Sequence, residues 1–200
     1  MDVKNWNRSG RMTLYLNDPI SVKDYFEIRE TSDDRLEYID GLVYMSPSPS
    51  TKHQRISRKL LIQFDHFFTD KSCEVFHAPF DVELKKENME GTKIVIPDLT
   101  VICDRHGFTD ARYVGVPNLI VEILSPSNQA HDLITKLNLY MNYGVQEYWI
   151  VNPMLNSVTV YALNEEEMYI QHDIKTEVGG ISSRFLEGFI VELKEIFNNI

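Results

Sequence analysis

The sequence predicts an α/β protein, a mixed β-sheet flanked by helices, and three features lead to that class. Short runs rich in Val, Ile, Phe and Tyr recur from CEVFH at Cys73 to SVTVYAL at Ser157. Two longer segments, one after Ser50 and one after Ser127, repeat their apolar residues at helical spacing instead. The two kinds of segment alternate, which is the order expected when helices cover the faces of a sheet. With 200 residues and 43% hydrophobic content, the chain can close one core without metal or disulfide support. One domain over residues 13–200 is therefore expected, after a polar tail, MDVKNWNRSGRM, over residues 1–12.

Each element has its own local signal. Ser21 followed by Asp24 is a helix-capping pair, and Val22, Tyr25, Phe26 and Ile28 supply an apolar stripe behind it. In RLEYIDGLVYM, Asp40 and Gly41 separate two β-rich runs, the favoured two-residue turn of a hairpin, with Glu37 in its first strand. SPSPS, residues 46–50, breaks the chain and leaves Ser50 as N-cap of a helix running to about Asp70. Strands follow from Cys73, from Phe80, across KIVIPDLTVIC from Lys93 and across NLIVEIL from Asn118. A second long helix spans Ser127 to Gly144, the glycine acting as its stop. EYWIV and SVTVYAL come next, joined by Asn152, Pro153 and Asn156.

Net charge is −10, so the chain does not coat nucleic acid through a generally basic surface; any contact with phosphate has to be local. Clustered acids fit a divalent-cation site, where the ion cancels the repulsion between carboxylates and phosphate. Cys73 and Cys103 form no C-x-x-C and lie in apolar strand-like runs, and both are expected to be reduced core residues. The first twelve residues lack the apolar run of a signal peptide, and no stretch is long enough to span a bilayer, so a cytoplasmic protein is expected. Six histidines show no zinc spacing, and glycine-rich nucleotide loops and the G-x-S-x-G elbow are absent.

Glu122 is the residue hardest to explain by folding alone. It sits inside Leu119, Ile120, Val121, Ile123 and Leu124, the continuous apolar run of a strand covered on both faces. A carboxylate buried there must be paired, protonated or metal-bound; an edge strand with Glu122 in water is the plainer alternative. Asp98 has a similar setting, between Ile94, Val95, Ile96, Pro97 and Leu99, Val101, Ile102. Pro97 removes a ladder donor and marks an irregularity able to aim a side chain. Adjacent strands could bring both carboxylates to one ion.

On the second helix, at roughly 100° per residue, Lys136 falls in the apolar arc, away from His131, Thr135, Asn138 and Asn142. A salt bridge to Asp132 or an outward-snorkelling stem would explain an ordinary helix lysine, but both favour the polar side. On the first helix, His53 projects among Ile56, Leu60 and Phe64, as a satisfied core histidine or a cleft residue. The opposite side carries Lys52, Arg55, Arg58 and Lys59. Such a face is usually just solvated, yet it is the one concentrated positive patch in an acidic chain and the candidate phosphate track.

Taken in order, Pro97-Asp98, VEILSPS with Glu122, D-L-x-x-K from Asp132 to Lys136, Tyr140, Gly144 and EYWIV resemble the Uma-two family of endonucleases, of the PD-(D/E)xK superfamily. LEYIDGLVYMSPSP with His53, and FLEGFIVELKEIF near the C-terminus, are similar to its flanking motifs. The resemblance implies a restriction-endonuclease-like core and a Mg²⁺- or Mn²⁺-dependent endonuclease acting on DNA. It implies Asp98, Glu122 and the Ile123 carbonyl as metal ligands. Lys136 looks like the migrated catalytic lysine, because Leu124 stands where the superfamily often has one. Glu37 and His53 would be further ligands or orienting groups, and a homodimer would extend the phosphate track. A catalytically silent module binding nucleic acid or a protein partner is the alternative.

Overall fold

The computed structural model describes residues 13–14, 18–46, 48–126 and 131–198. The expected tail over 1–12 and the expected start of the second helix at Ser127 lie outside the described residues. The first part of the chain forms β1 (Thr13–Leu14), α1 (Val22–Thr31), β2 (Arg35–Ile39), β3 (Leu42–Ser46), α2 (Thr51–Phe68), β4 (Glu74–His77) and β5 (Val82–Leu84). Next come β6 (Lys93–Val95), β7 (Leu99–Ile102), β8 (Tyr113–Gly115) and β9 (Leu119–Ile123). A π-helical segment, His131–Lys136, leads into α3 (Leu137–Tyr143) and β10 (Glu147–Asn152). The remainder is β11 (Ser157–Leu163), β12 (Tyr169–Thr176), β13 (Gly180–Ser182), β14 (Ile190–Glu192) and α4 (Leu193–Phe197).

The local signals act as their chemistry dictates. Ser21 accepts from the Asp24 N–H at 3.2 Å, and the Asp24 carboxylate accepts from the Ser21 N–H, so a full capping box starts α1. Ser50 caps α2 by accepting from the His53 N–H at 3.2 Å. Asp40 and Gly41 take φ of 49° and 94°, the two left-handed positions that let Ile39 pair with Leu42 in a tight hairpin. Gly144, at φ 88°, ends α3.

These elements build two mixed six-stranded sheets, ordered β1-β3-β2-β6-β5-β8 and β12-β11-β10-β9-β7-β4. Each contains one parallel pair, β5 with β8 and β9 with β10. KIVIPDLTVIC, expected as one irregular strand, is instead divided at Ile96–Asp98: β6 belongs to the first sheet and β7 to the second. Pro97 has no N–H to give a ladder, and the chain crosses between sheets there.

The second sheet is covered on both faces, which is why NLIVEIL is almost wholly apolar. On one face Ile56, Leu60, Phe64 and Phe68 of α2 pack on Leu99, Val101, Leu119, Val121, Ile123 and Trp149, with Leu193, Ile196 and Phe197 of the closing segment. On the other, Ile120, Leu124, Tyr148 and Ile150 meet Tyr140 and Tyr143 of α3 and Val82, Leu84 and Val95 of the first sheet. Alternation along β9 therefore sends Leu119, Val121 and Ile123 to α2 and leaves Glu122 on the α3 side. No helix among the described residues is long and apolar enough to cross a membrane.

The cysteines correct an expectation. Cys73 and Cys103 are not free thiols but are joined in a disulfide. β4 and β7 pair antiparallel with Glu74 opposite Ile102, so the residues just outside that pair face one another. Their wide separation in sequence conceals this register.

Candidate active site

The crossing at Ile96–Asp98 gathers side chains from both sheets and two helices. β7 and β9 pair with Leu99 opposite Val121, and one further step in that antiparallel register sets Asp98 opposite Glu122. Asp98 Oδ2 accepts from the Ile123 N–H at 2.8 Å, and His53 Nε2 lies 3.0 Å from the same oxygen. Glu122 Oε1 accepts from Lys136 Nζ at 2.9 Å and from the Tyr140 hydroxyl at 3.0 Å. Lys136 Nζ also donates to Glu37 Oε1 at 3.0 Å, and that oxygen accepts from the Ile96 N–H at 2.7 Å. Asp98, Glu122, Lys136 and His53 line a cleft of about 530 Å³, while Glu37 stands behind it, completely buried.

Burial sets the electrostatics. Glu122 is 3% exposed, and loss of solvent pushes its carboxyl up to about 7; Lys136 opposes the rise, and the negative charges of Asp98 and Glu37 add to it. For Asp98 burial works in the same direction, yet the carboxyl is held below its ordinary range. The hydrogen bond and charge of His53, the Ile123 N–H and the charge of Arg35 together outweigh burial there. His131, its ring tilted against Tyr44 with centroids 4.6 Å apart, is pushed down to about 4 by burial and by Lys136.

A single motif order running through these residues suggests common descent, and comparison with known proteins supports it. Residues 22–194 match the Uma2 family, described as "Putative restriction endonuclease". The chain belongs to the Uma2 family. It is 28% identical over 148 residues to the uncharacterized protein slr1290 of Synechocystis sp., a match covering 74% of this chain and 76% of that one. Its fold is similar to the crystal structure of a "putative nuclease belonging to DUF820" from Anabaena variabilis. That likeness has a TM-score of 0.70 at 18% identity and covers 90% of this chain and 98% of the other. The fold is thus restriction-endonuclease-like, and family and fold together indicate a nuclease of that kind.

In this Uma2 chain Asp98, Glu122, Lys136, Glu37 and His53 lie in one connected group. Lys136 is 2% exposed, which excludes an outward-snorkelling stem. The α-helical phase used for it does not hold locally, because His131–Lys136 winds as a π-helix before α3 begins. Such insertions reorient side chains and are frequent at functional sites. The Ile123 N–H donates to Asp98; its carbonyl, expected as a metal ligand, leaves the same edge of the extended strand. Among the described residues no three His, Cys, Asp or Glu side chains form a ready cation cluster.

The basic face of α2 fares differently. Only Lys52 lines the cleft, and its ammonium donates to the Pro153 carbonyl at 2.7 Å. Lys59 donates to the Asn198 carbonyl at 2.5 Å, binding α2 to the C-terminal segment. Arg55 and Arg58 are exposed and are not among the cleft-lining residues. The helix turns them away, since its apolar face is committed to the second sheet. Sequence reasoning passed over Arg35, which does line the cleft. The signal was present: Arg35 is two residues before Glu37 on β2 and so shares its face.

Proposed function

We propose that this chain is a divalent-metal-dependent endonuclease that hydrolyses phosphodiester bonds of DNA, with Asp98, Glu122 and Lys136 as its reactive groups. One observation carries the reading: two buried carboxylates on facing strands and a buried lysine held against one of them line a single cleft. A structural role alone does not call for this arrangement, because burying several charges together is costly.

The donor set fits a hard cation. Mg²⁺ takes one or two carboxylates and otherwise water or substrate oxygens, and Asp98 and Glu122, with the Ile123 carbonyl at the same strand edge, offer that set. The raised carboxyl of Glu122 is the mark of a site that a cation would relieve. Bound Mg²⁺ or Mn²⁺ would polarise the phosphate and make a nearby water more acidic. The remaining work falls to the chain. His53 and the Ile123 N–H fix the orientation of Asp98. Glu37, itself anchored by the Ile96 N–H, holds the Lys136 ammonium at the cleft, where it neutralises charge developing on the phosphate. Tyr140 fixes Glu122 from the α3 side.

Incubating the protein with plasmid, single-stranded DNA and a small phosphodiester, with Mg²⁺, Mn²⁺ or EDTA, tests the reading. Cleavage of DNA that stops in EDTA and in Glu122→Gln is expected. A second reading, a catalytically silent module, draws on the closed pairing of Lys136 with Glu37 and Glu122. Absence of metal-dependent cleavage of every substrate in a well-folded protein would favour it.

A further inference from the structure

Arg35, Lys52 and Lys136 line the cleft, and the protein itself engages all three. Lys136 is held by Glu37 and Glu122, and the charge of Arg35 acts on Asp98. The Lys52 ammonium donates to the Pro153 carbonyl at 2.7 Å and to Asn156 Oδ1 at 3.4 Å. Asp98 and Glu122 are buried at the floor, while the more exposed lining residues are apolar: Pro49 is half-buried, Pro126 is exposed and Met154 is 44% exposed. Met154 is fixed in place, because Asn152 Oδ1 accepts from the Met154 and Leu155 N–H groups at 3.0 and 3.2 Å. Lys52 ties the same turn to α2, and Leu155, 63% exposed, continues its apolar surface. A lysine at the entrance thus clamps an apolar turn instead of reaching for phosphate.

Nucleic acid offers such a cleft two chemistries, charged phosphates and the flat apolar faces of its bases. In a duplex the faces are hidden in the stack, and only phosphates and groove edges are presented. Affinity for these comes chiefly from Lys and Arg, yet the chain has a net charge of −10, its cleft cations are engaged, and Arg55 and Arg58 do not line the cleft. An unpaired strand can splay its bases, whose faces then pack on flat or polarisable side chains. The cleft volume of about 530 Å³ lies in the range of pockets for one small ligand, roughly 300–1,000 Å³. That is room for a nucleotide, not for a length of double helix.

We propose that Met154, with Pro49 and Pro126, forms a slot for one unpaired base beside the phosphodiester that faces Asp98 and Glu122, so that the substrate is single-stranded nucleic acid or an unpaired stretch of a duplex. This rests on the nuclease reading and narrows it. Met154 is then a specificity-determining residue. It selects a strand by the accessibility of a base face and not by sequence, since every base has such a face.

The test is anisotropy of two fluorescein-labelled probes of equal length, oligothymidylate and an abasic strand with the same phosphates. Each is titrated with the full chain in EDTA, and again with Ca²⁺, at several salt concentrations. The native chain is expected to bind oligothymidylate at least about fivefold more tightly, the low end of what stacking one base on a side chain contributes. Met154→Ser removes that preference while affinity for the abasic strand and the salt slope stay unchanged, because no phosphate contact is lost. Met154→Leu keeps most of the preference. Met168→Ser, on the β11–β12 turn and 52% exposed in the native chain, is expected to bind as the native chain does. Thermal melts confirm that each variant is folded; should Met154→Ser not fold, Met154→Gln carries the comparison. Equal affinity of the native chain for the two probes under both conditions overturns the slot, as does a preference that survives in Met154→Ser. A duplex bound as tightly as oligothymidylate overturns the substrate class. Cleavage with Mg²⁺ is read separately. A base preference without cleavage of any substrate upholds the slot and ends the nuclease reading, whereas equal cleavage of single-stranded and relaxed duplex circles upholds the nuclease and overturns the substrate class.

Discussion

Replacing Glu122 by Gln preserves the shape of the side chain and removes its charge, and the surrounding contacts define what should follow. The amide oxygen can still accept from Lys136 and Tyr140, and Lys136 keeps Glu37 as its counter-charge. No charge is stranded. The native carboxyl is raised from 4.5 to about 7, so its proton-linked stabilisation is fully present below pH 4.5 and is lost as pH rises through 7. The gap corresponds to ~3 kcal/mol as an upper bound. At pH 5 the two proteins should therefore unfold alike. At pH 8 Glu122→Gln should be the more stable by about 1–3 kcal/mol, or roughly 2–4 °C of Tm per kcal/mol for a chain of this size. Urea and thermal melts at both pH values measure this, and cleavage by the same protein should be abolished. A variant less stable than native by about 3–5 kcal/mol at both pH values, the cost of breaking a buried ion pair, would refute the reasoning.

Lys136→Met takes the cation from between Glu37 and Glu122; urea melts should show a loss of about 3–5 kcal/mol at pH 8. The loss should shrink near pH 5, where Glu122 is protonated, and cleavage should disappear at every pH. Reduction of Cys73–Cys103 opens a link between residues 30 apart and should lower stability by roughly 2–4 kcal/mol, seen as a lower Tm in dithiothreitol than in buffer. Gly41→Ala puts a Cβ at φ +94° and 2.9 Å from the Pro19 Cβ, so chemical denaturation should report at least about 1 kcal/mol of destabilisation, with DNA cleavage unaffected.

Much of the fold was legible because it depends on short-range signals. The Ser21 and Ser50 caps, the Asp40-Gly41 turn and the Gly144 stop each act within a few residues, and each lies where its chemistry puts it. What escaped was set by partners distant in sequence. The division of KIVIPDLTVIC between two sheets depends on which strand each half pairs with, β2 and β5 for one and β4 and β9 for the other. The disulfide depends on the β4–β7 register. β12 was missed because its burial follows no simple alternation; it forms the edge of its sheet and a bulge at Val160/Tyr161 interrupts its pairing.

The candidate site shows the same boundary from the side of chemistry. Glu122 drew attention as an acid inside an apolar strand, but Glu147 stands in an equally apolar strand and is just as buried. The difference lies in their partners. Glu147 accepts from the Arg184 and Phe185 N–H groups at 2.7 and 2.8 Å and from the Trp149 ring N–H, three neutral donors that tie the C-terminal loop to β10. Glu122 instead shares a lysine with a second carboxylate and faces a third across the strand pair, beside a cleft. A neutral, fully satisfied cage explains a buried carboxylate as architecture; a cluster of like charges around one cation does not. Sequence can mark both acids, whereas only the fold shows which of them has company of its own sign.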